Sequence, residues 1–458
     1  MSSHVARAPS LRRSLLAVAL VASVLAVGVG RAASWDLAPG DPWPDLAAGD
    51  EVRLAPGRYD GPWEIAVPDV RVHADGATLV GPRDGSALIL SAAGIEVEGL
   101  TVRDAGTVAD LYAPDAAVWA VDCHGCVLRD LDASGTPAGL RIEASRDLRV
   151  TDARLRGGPD GPGVTAYQAP GLALEGLEVD GFLDGLYVER SDGARVDGAR
   201  VDGARRYGLH VMFSADLVVR DATVRGGGVG SAVMYGRDAR IDASRFAGHE
   251  GPLAYGLLIH EMQGAEVRDV TLVGNTVGLF VVSSPDVRVR GAEVRDAGTG
   301  VLVRRTPDAA TSAVEITGST FAGNVGDVAV DDPAASVTLR GNRYDAASRL
   351  DLDGDGVSDA PYLPTSSFAL LTTRLPDLSL FAFQPGVTLW ERAEASVPGL
   401  RMATLHDPAP RPSARQERGD ASTAGRVAAA LLIVVAAGAG VAARRRDGSL
   451  RAPARSAA

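Results

Sequence analysis

The sequence predicts an all-β fold, a right-handed parallel β-helix in which short strands stack into a solenoid. Marker glycines precede short apolar strands at intervals of 22 to 26 residues, a period that accommodates three short strands per turn. The chain has 54 glycines and only 5% aromatic residues, which suits stacked strands and tight turns better than a helical bundle. A leucine-rich repeat has a similar period, but its leucine–asparagine skeleton is absent. The marker glycines are Gly139, Gly163, Gly185, Gly208, Gly230, Gly256, Gly278 and Gly300.

Both ends of the chain carry apolar runs that indicate export and anchoring. Arg12 and Arg13 precede the first run and small residues follow it, as in a signal peptide for Sec or twin-arginine export. Arginines follow the second run, which predicts a single transmembrane helix with a cytoplasmic tail. The alternative is a tail removed by a sorting protease. The expected segments are a signal peptide at 1–33, an N-terminal cap at 34–69, the β-helix at 70–344, an Asp-Gly loop and capping segment at 345–407, a linker at 408–426, the transmembrane helix at 427–443 and the tail at 444–458.

Charge and composition argue against several classes of function. The formal net charge of −12 argues against a nucleic-acid partner, and the absence of lysine excludes lysine chemistry. Cys123 and Cys126 lie three residues apart, which favours a local disulfide or two small buried residues over a metal or redox pair.

Strand alternation predicts which side chains point outward from each rung. Counting from each marker glycine, positions one and three are apolar and are expected inside, so positions two and four face out. At position four, Met212, Met234 and His260 should form a column on three successive rungs. His210 and Met262 are expected on the same face. Thioether and imidazole groups on an exported surface favour a soft ion, above all Cu(I), held transiently for transfer.

An apolar strip is expected beside this column as a partner-binding surface. It comprises Leu258, Phe280, Val282 and Leu302, with Tyr187 in the same outward column. The alternative is that loops or the C-terminal segment cover this face, so that the strip is ordinary core and the methionines fill gaps.

An acidic loop follows the repeat and resembles a calcium-binding loop. Asp351, Asp353, Asp355 and Asp359 occupy positions 1, 3, 5 and 9 of an EF-hand-like pattern, although position 12 is Tyr362. We expect a structural calcium site, or else an acidic turn held by its own hydrogen bonds. The proline-rich residues 360–400 are expected to be an extended capping segment.

A carbohydrate-active enzyme, such as a polysaccharide lyase, hydrolase or epimerase, is the alternative function, because many parallel β-helices are such enzymes. Their sites need clustered carboxylates and a general base in an aromatic-lined groove. Here no acidic cluster follows Tyr207 and His210, and Glu143 and Glu189 are spaced as solvated surface. The sequence therefore favours a non-enzymatic protein.

Several motifs resemble the NosD family of periplasmic nitrous oxide reductase maturation proteins, and the consecutive GLHVM and AVMY rungs are the most specific of them. The resemblance implies a β-helix of the carbohydrate-binding and sugar-hydrolase (CASH) type that lacks hydrolase activity. The motifs are LAPGRY at 54–59, RYGLHVMFS at 206–214, AVMY at 232–235, YGLLI at 255–259, GNTVG at 274–278, NRY at 342–344 with the Asp-Gly loop, and the Pro-Tyr pair at 361–362.

The same resemblance implies partners and a cargo in denitrification. It implies docking on an ABC transporter of NosF and NosY type, receipt of copper from a NosL-type chaperone, and delivery of copper or sulfur to the copper–sulfur cluster of nitrous oxide reductase. The C-terminal anchor departs from the family pattern.

Overall fold

The chain winds into a right-handed parallel β-solenoid with three sheets. The computed structural model describes residues 32–158, 160–251, 254–305, 312–331, 335–375, 378, 381, 384–397 and 405–412. Nearly all of the predicted signal peptide, most of the linker, and the whole of the predicted transmembrane helix and tail lie outside these residues. Within the described ranges, no helix has the length and apolarity needed to cross a bilayer.

Each turn contributes one strand to each sheet, and neighbouring strands are parallel and in register. Sheet 1 has 14 strands: Ser34–Leu37, Glu51–Leu54, Arg71–His73, Glu96–Glu98, Val127–Arg129, Arg149–Thr151, Ala173–Glu175, Arg195–Asp197, Val218–Arg220, Arg237–Asp242, Gln263–Arg268, Val287–Arg290, Ala313–Thr317 and Ser336–Arg340. Sheet 2 has 14 strands: Gly57–Asp60, Ala77–Val80, Thr101–Arg103, Asp132–Thr136, Arg154–Gly157, Glu178–Asp180, Arg200–Asp202, Thr223–Arg225, Arg245–Ala247, Thr271–Val273, Glu293–Arg295, Thr320–Ala322, Arg343–Tyr344 and Arg411–Pro412. Sheet 3 has 12 strands: Trp63–Ile65, Leu88–Leu90, Ala116–Val121, Ala138–Glu143, Val164–Tyr167, Leu186–Glu189, Tyr207–Met212, Gly230–Met234, Tyr255–His260, Val277–Val282, Thr299–Arg304 and Gly326–Val330.

The marker glycines are required by close backbone approach between successive rungs. A Cβ atom on Gly139 would lie 2.7 Å from the carbonyl oxygen of Gly163. The same contact recurs up the stack, at 2.6 Å between Gly163 and Gly185 and at 2.8 Å between Gly256 and Gly278. A backbone carbonyl cannot move aside as a flexible side chain can, so the repeat signature follows from stacking.

Sheets 1 and 2 differ from sheet 3 in their outer faces. Strands such as Arg195–Asp197 and Arg200–Asp202 bury only their central residue. In sheet 3, strands such as Leu186–Glu189 bury every residue. Part of sheet 3 is therefore covered on its outside as well as its inside, which distinguishes this sheet from the other two.

A ladder of buried hydroxyls runs inside the corner between sheets 3 and 1. The Ser214 hydroxyl accepts a hydrogen bond from the backbone N–H of Ser191 at 3.0 Å, and Ser284 accepts one from Met262 at the same distance. In the same part of the turn, Cys123 and Cys126 form the local disulfide. Each hydroxyl accepts a hydrogen bond from a backbone N–H that lies at the corner and so has no partner within a sheet.

The strands begin earlier than the expected solenoid boundary at residue 70. Ser34–Leu37 already pairs in parallel with Glu51–Leu54, and Gly57–Asp60 and Trp63–Ile65 open sheets 2 and 3. Residues 34–69 therefore continue the three sheets rather than forming a cap with a different architecture.

The C-terminal segment caps the solenoid with helices rather than with the extended chain expected for residues 360–400. Helix α1 spans Ser367–Arg374 and helix α2 spans Pro385–Ser396. The Ser366 side chain accepts a hydrogen bond from the N–H of Ala369 and so caps α1, while a proline at its first position suits α2. Helix α1 packs against the last two strands of sheet 3.

Replacing Gly139 by alanine should destabilise the solenoid by about 1–3 kcal/mol, because the new Cβ would meet a backbone carbonyl. Chemical denaturation measures the change in the free energy of unfolding. Gly158→Ala is the matched control, since a Cβ at Gly158 meets nothing within 4 Å. Equal stability of the two variants would contradict the stacking explanation.

Candidate functional site

The outer face of sheet 3 carries a column of soft side chains. Strand pairing places Met212 opposite Met234, and Met234 opposite His260. All three residues are partly exposed. Parallel strands lie about 4.8 Å apart, so neighbouring members of the column can contact one ion. Two thioether sulfurs and an imidazole nitrogen are ligands that Cu(I) prefers.

The column is bounded by a carboxylate on one side and an apolar residue on the other. Glu189 is the strand partner of Met212, and Val282 is the partner of His260. The Nε2 atom of His260 is buried without a hydrogen-bond partner among the described residues, although it lies 3.4 Å from a carboxylate oxygen of Glu261. This nitrogen is therefore available as a ligand.

His210 lies one rung before Met234 in a buried polar network. Its Nδ1 atom is 2.8 Å from Oδ2 of Asp184, whose side chain is fully buried. Arg206 donates to the same carboxylate twice, from Nε to Oδ1 at 2.7 Å and from Nη2 to Oδ2 at 2.5 Å. Burial would raise the pKa of Asp184, but the hydrogen bonds from Arg206 and His210 outweigh it and lower that pKa.

Aromatic rings enclose the His210 imidazole. The Tyr187 ring meets it edge-on at 5.0 Å, and the Tyr207 ring lies 4.3 Å away. His210 is only 6% exposed, and its Nε2 atom has no hydrogen-bond partner among the described residues. An orphaned buried nitrogen costs about 1–3 kcal/mol, which makes this atom a candidate for binding something.

A second buried pair lies one rung below His210. Tyr187 donates a hydrogen bond to Glu189, and Tyr112 from a preceding loop packs edge-on against the Tyr187 ring at 5.7 Å. Burial, together with the Glu189 carboxylate, raises the pKa of Tyr187. The phenol therefore stays protonated, and Glu189 supplies the negative charge beside Met212.

Two aromatic residues follow the methionines at the corner of the solenoid. Phe213 and Tyr235 have positive φ angles of 50° and 58°, which costs each of them about 1–2 kcal/mol. Their rings stack at 5.1 Å, and the guanidinium of Arg190 lies over Phe213. The positive-φ residue at the same corner of other rungs varies: it is Asp122, Ala144, Gln168, Arg190, Glu261 or Ser283. The left-handed conformation therefore belongs to the fold, and the aromatic rings beside the soft column are particular to these two rungs.

Met262 does not lie on the outer face, contrary to expectation. It is fully buried in the main core, and its sulfur accepts a hydrogen bond from the N–H of Gly236 at 3.1 Å. Glu261 has a φ of 49°, and this left-handed residue ends the strand alternation. Met262 therefore takes the inward position that Ser214 and Ser284 hold on other rungs.

The predicted apolar strip is mostly covered, so the expectation of an exposed patch was wrong. Tyr187, Leu258, Val282 and Leu302 are at most 6% exposed, and only Phe280 is partly exposed. The cover comes from elsewhere in the chain. The preceding loop covers Tyr187, and helix α1 packs on the strand that holds Leu302. The middle of the strip joins a small apolar cluster of its own: Ala232, Tyr255, Leu258 and Val282, with Tyr207, Val229, Met234, Val277 and Phe280 packed against it.

The acidic loop gathers three of its four predicted ligands. Ligand oxygens of Asp351, Asp353 and Asp355 lie within 4.8 Å of one another, and all three residues are exposed. Asp359 instead accepts the N–H of Leu352 at 2.6 Å. The Asp351 carboxylate accepts the N–H groups of Gly354 and Gly356, so hydrogen bonds within the loop also hold it. Both interpretations of the loop remain compatible with this geometry.

Sequence reasoning missed Asp184, Arg206, Phe213 and Tyr235. The repeat held a signal for the first two, because Asp184 directly precedes one marker glycine and Arg206 stands two residues before the next. Aligning the rungs would have placed them side by side. No such signal existed for the corner aromatics, whose importance depends on backbone conformation.

Comparisons with known proteins show what the chain is similar to. A family model described as "Periplasmic copper-binding protein (NosD)" matches residues 156–348. A curated protein from Pseudomonas aeruginosa, "Probable ABC transporter binding protein NosD", is 28% identical over 406 residues, covering 81% of this chain and 90% of that protein.

Solved structures share the fold at low sequence identity. A double mutant of the periplasmic alginate epimerase AlgG is 12% identical, with a TM-score of 0.51 over 65% of this chain and 84% of that one. The A-module of a mannuronan C-5 epimerase from Azotobacter vinelandii is 14% identical, with a TM-score of 0.46 over 65% and 87%. At 12% identity the similarity to the epimerase AlgG shows a shared β-helix and nothing about activity.

Proposed function

We propose that this chain, which is similar to NosD proteins, is a non-enzymatic periplasmic accessory protein for the maturation of nitrous oxide reductase. It docks on an ABC transporter and helps to deliver copper, or sulfur, to the copper–sulfur cluster of the reductase. The observation that carries this proposal is the register of Met212, Met234 and His260 on three adjacent strands. Copper is the cargo rather than a resident cofactor.

The chemistry of the column supports transfer better than storage. Thioethers are soft, neutral ligands, so they bind Cu(I) without a change of charge or loss of a proton. Met212 and Met234 are partly exposed, which leaves room for a ligand from a donor or acceptor protein. A buried site with four protein ligands would hold the ion but would not release it to a partner.

The docking surface belongs around the corner aromatics rather than along the covered apolar strip. Phe213 is 44% exposed and lies beside Met212, while Phe280 is partly exposed three rungs further on. Exposed aromatic side chains are frequent anchors of protein interfaces. The proposed partners are NosF- and NosY-type transporter subunits, a NosL-type copper chaperone and the reductase, with membrane attachment through the run at 427–443.

The carbohydrate-enzyme alternative has weaker support. The outward carboxylates of sheet 3 are already engaged, since Glu143 binds Arg141 and the indole N–H of Trp119, and Glu189 accepts from Tyr187. A general acid or base needs an accessible group poised for proton transfer. His210 is the exception, and its burial between two tyrosine rings restricts access by a polymer.

Replacing Met212 and Met234 together by leucine should weaken Cu(I) binding at least tenfold, or about 1.4 kcal/mol, because leucine keeps the volume but removes the thioether. Anaerobic titration of the full chain against a chromogenic Cu(I) chelator measures the affinity. Met262→Leu is the control and should bind as the parent does, since its sulfur is buried. If the double variant binds Cu(I) as tightly as the parent does, the methionines of the column only fill space in the fold.

Replacing Phe213 by aspartate should reduce copurification of the full chain with the transporter several-fold, because a charge would replace an exposed anchor. Affinity purification of the coexpressed complex, followed by quantification of both subunits, measures the effect. Leu352→Asp alters another exposed apolar residue, 79% exposed, and should leave copurification unchanged. Equal losses in both variants would argue against this docking surface.

Calcium should stabilise the full chain if the acidic loop binds it. Binding to the folded state alone raises the free energy of unfolding, by about 2.7 kcal/mol at a hundredfold excess over the dissociation constant. Thermal unfolding with calcium, magnesium or a chelator measures the shift. Asp353→Asn should reduce it, because Asp353 belongs to the three-carboxylate group. An identical calcium-induced shift of the unfolding temperature in the variant would contradict calcium binding by this loop, which would then be only a hydrogen-bonded turn.

A further inference from the structure

The buried carboxylate of Asp184 is paired with the partly exposed Arg206 and contacts His210 on the outer face of the solenoid. We propose that Asp184, held by Arg206, fixes His210 in the tautomer that is protonated on Nδ1 and so presents Nε2 as a nitrogen ligand for Cu(I). Asp184 and Arg206 are then positioning residues. This inference rests on the proposed function and extends it from the column to a defined nitrogen atom.

The hydrogen bond to Asp184 determines which nitrogen carries the proton. Arg206 donates to both oxygens of Asp184, as it does to a carboxylate in an ion pair, and a carboxylate only accepts hydrogen bonds. Its Oδ2 atom lies 2.8 Å from Nδ1 of His210, so Nδ1 donates. A neutral imidazole then has its lone pair on Nε2, the arrangement found where carboxylates orient metal-binding histidines.

Arg206 prevents the carboxylate from turning away. Its guanidinium forms two parallel hydrogen bonds with the two oxygens of Asp184, at 2.7 Å and 2.5 Å, and the backbone N–H of Tyr207 lies 3.3 Å from Oδ1. A forked pair of this kind fixes the plane of the carboxylate as well as its position. The charges of Asp184 and Arg206 also cancel, so the pair orients the histidine without repelling a cation.

The Nε2 atom of His210 has the environment expected of a metal ligand before the ion binds. It is buried and lacks a hydrogen-bond partner in the described part of the chain, while tyrosine rings restrict rotation of the imidazole. Met212 follows two residues later on the same strand, with its Cα about 6.6 Å from that of His210. A long, flexible thioether can cross that gap, so His210 and Met212 are suited to share one ion.

A doubly protonated His210 is the competing arrangement. Imidazolium would also donate to Asp184 from Nδ1, but it would place an unpaired N–H on Nε2 and offer no lone pair to a metal. The two arrangements have identical heavy-atom positions. They differ in the protonation of one nitrogen, which nitrogen NMR reports directly.

The first experiment needs no variant. Selective ¹⁵N labelling of the seven histidines in the full chain, with long-range proton–nitrogen correlation near neutral pH, should show His210 with a protonated Nδ1 and an unprotonated Nε2. Adding Cu(I) should shift the Nε2 resonance and leave the Nδ1–H in place. A protonated Nε2 in the metal-free protein, or an unshifted Nε2 under Cu(I) saturation, would overturn the proposal.

The second experiment uses Asp184→Asn. The amide keeps only one acceptor oxygen, whereas Asp184 accepts from Arg206 at both oxygens and faces Nδ1 of His210 at one of them, so the variant cannot hold all of these donors and no longer fixes the imidazole. Loss of an orienting partner typically costs about 10- to 100-fold in metal affinity, and we expect a loss in that range. Thermal unfolding monitors whether the variant is folded under the conditions of the titration.

The matched control is Asp202→Asn. Asp202 forms the same two-bond fork with Arg225, at 3.0 Å and 3.3 Å, but on sheet 2 and without a histidine. It should retain parental Cu(I) affinity. Parental affinity in a folded Asp184→Asn variant would overturn the inference. If the parent protein itself binds no Cu(I), the proposed function fails, whereas the tautomer measurement still reports whether Asp184 orients His210.

Discussion

Close contact between the backbones of successive rungs is the constraint on which the rest of this solenoid depends. A Cβ added to a marker glycine would lie less than 3 Å from the carbonyl oxygen of the next rung, as at Gly139 and Gly256. This contact keeps the strands of sheet 3 in register, and register in turn stacks equivalent side chains into columns. A residue on one rung therefore acquires its neighbours from residues about 22 positions away. The column of Met212, Met234 and His260 consists of such neighbours, whereas His210 shares a strand with Met212.

The outer face of sheet 3 combines partly exposed soft ligands with the polar side chains of Asp184 and Arg206, which orient one of the ligands. Asp184 is fully buried while the side chain of its partner Arg206 is 35% exposed, so the pair carries a desolvation cost that a surface pair would not. Their position beside His210 gives the pair an orienting role. Phe213 and Tyr235 adopt left-handed conformations at the corner that follows Met212 and Met234, and their rings stack on each other. Expenditure of stability at neighbouring positions is typical of functional sites.

The repeat period was enough to predict the solenoid, the marker glycines and the column of Met212, Met234 and His260, because all of these follow from register. Two errors had different causes. Met262 was assigned to the wrong face because Glu261 adopts a left-handed conformation that breaks alternation, and glutamate gives no warning of this in a sequence. The apolar strip was taken as exposed because its covers, a preceding loop and helix α1, come from segments that do not follow the repeat. The local sequence pattern determines which face of a rung a residue occupies. Segments that are distant in sequence determine whether that face is exposed to solvent.

The geometry of the column bears on how an ion could move along it. Adjacent members are about 4.8 Å apart, so Met212 and Met234 can hold one ion, as can Met234 and His260, whereas Met212 and His260 lie about 9.6 Å apart. An ion that passes from the first pair to the second therefore keeps Met234 as a ligand throughout. Exchange with a shared ligand avoids the full desolvation and release of the ion, which is the step that would expose Cu(I) to solvent. His210, oriented from behind by Asp184, extends this series of overlapping pairs by one ligand at the end where the column is most enclosed.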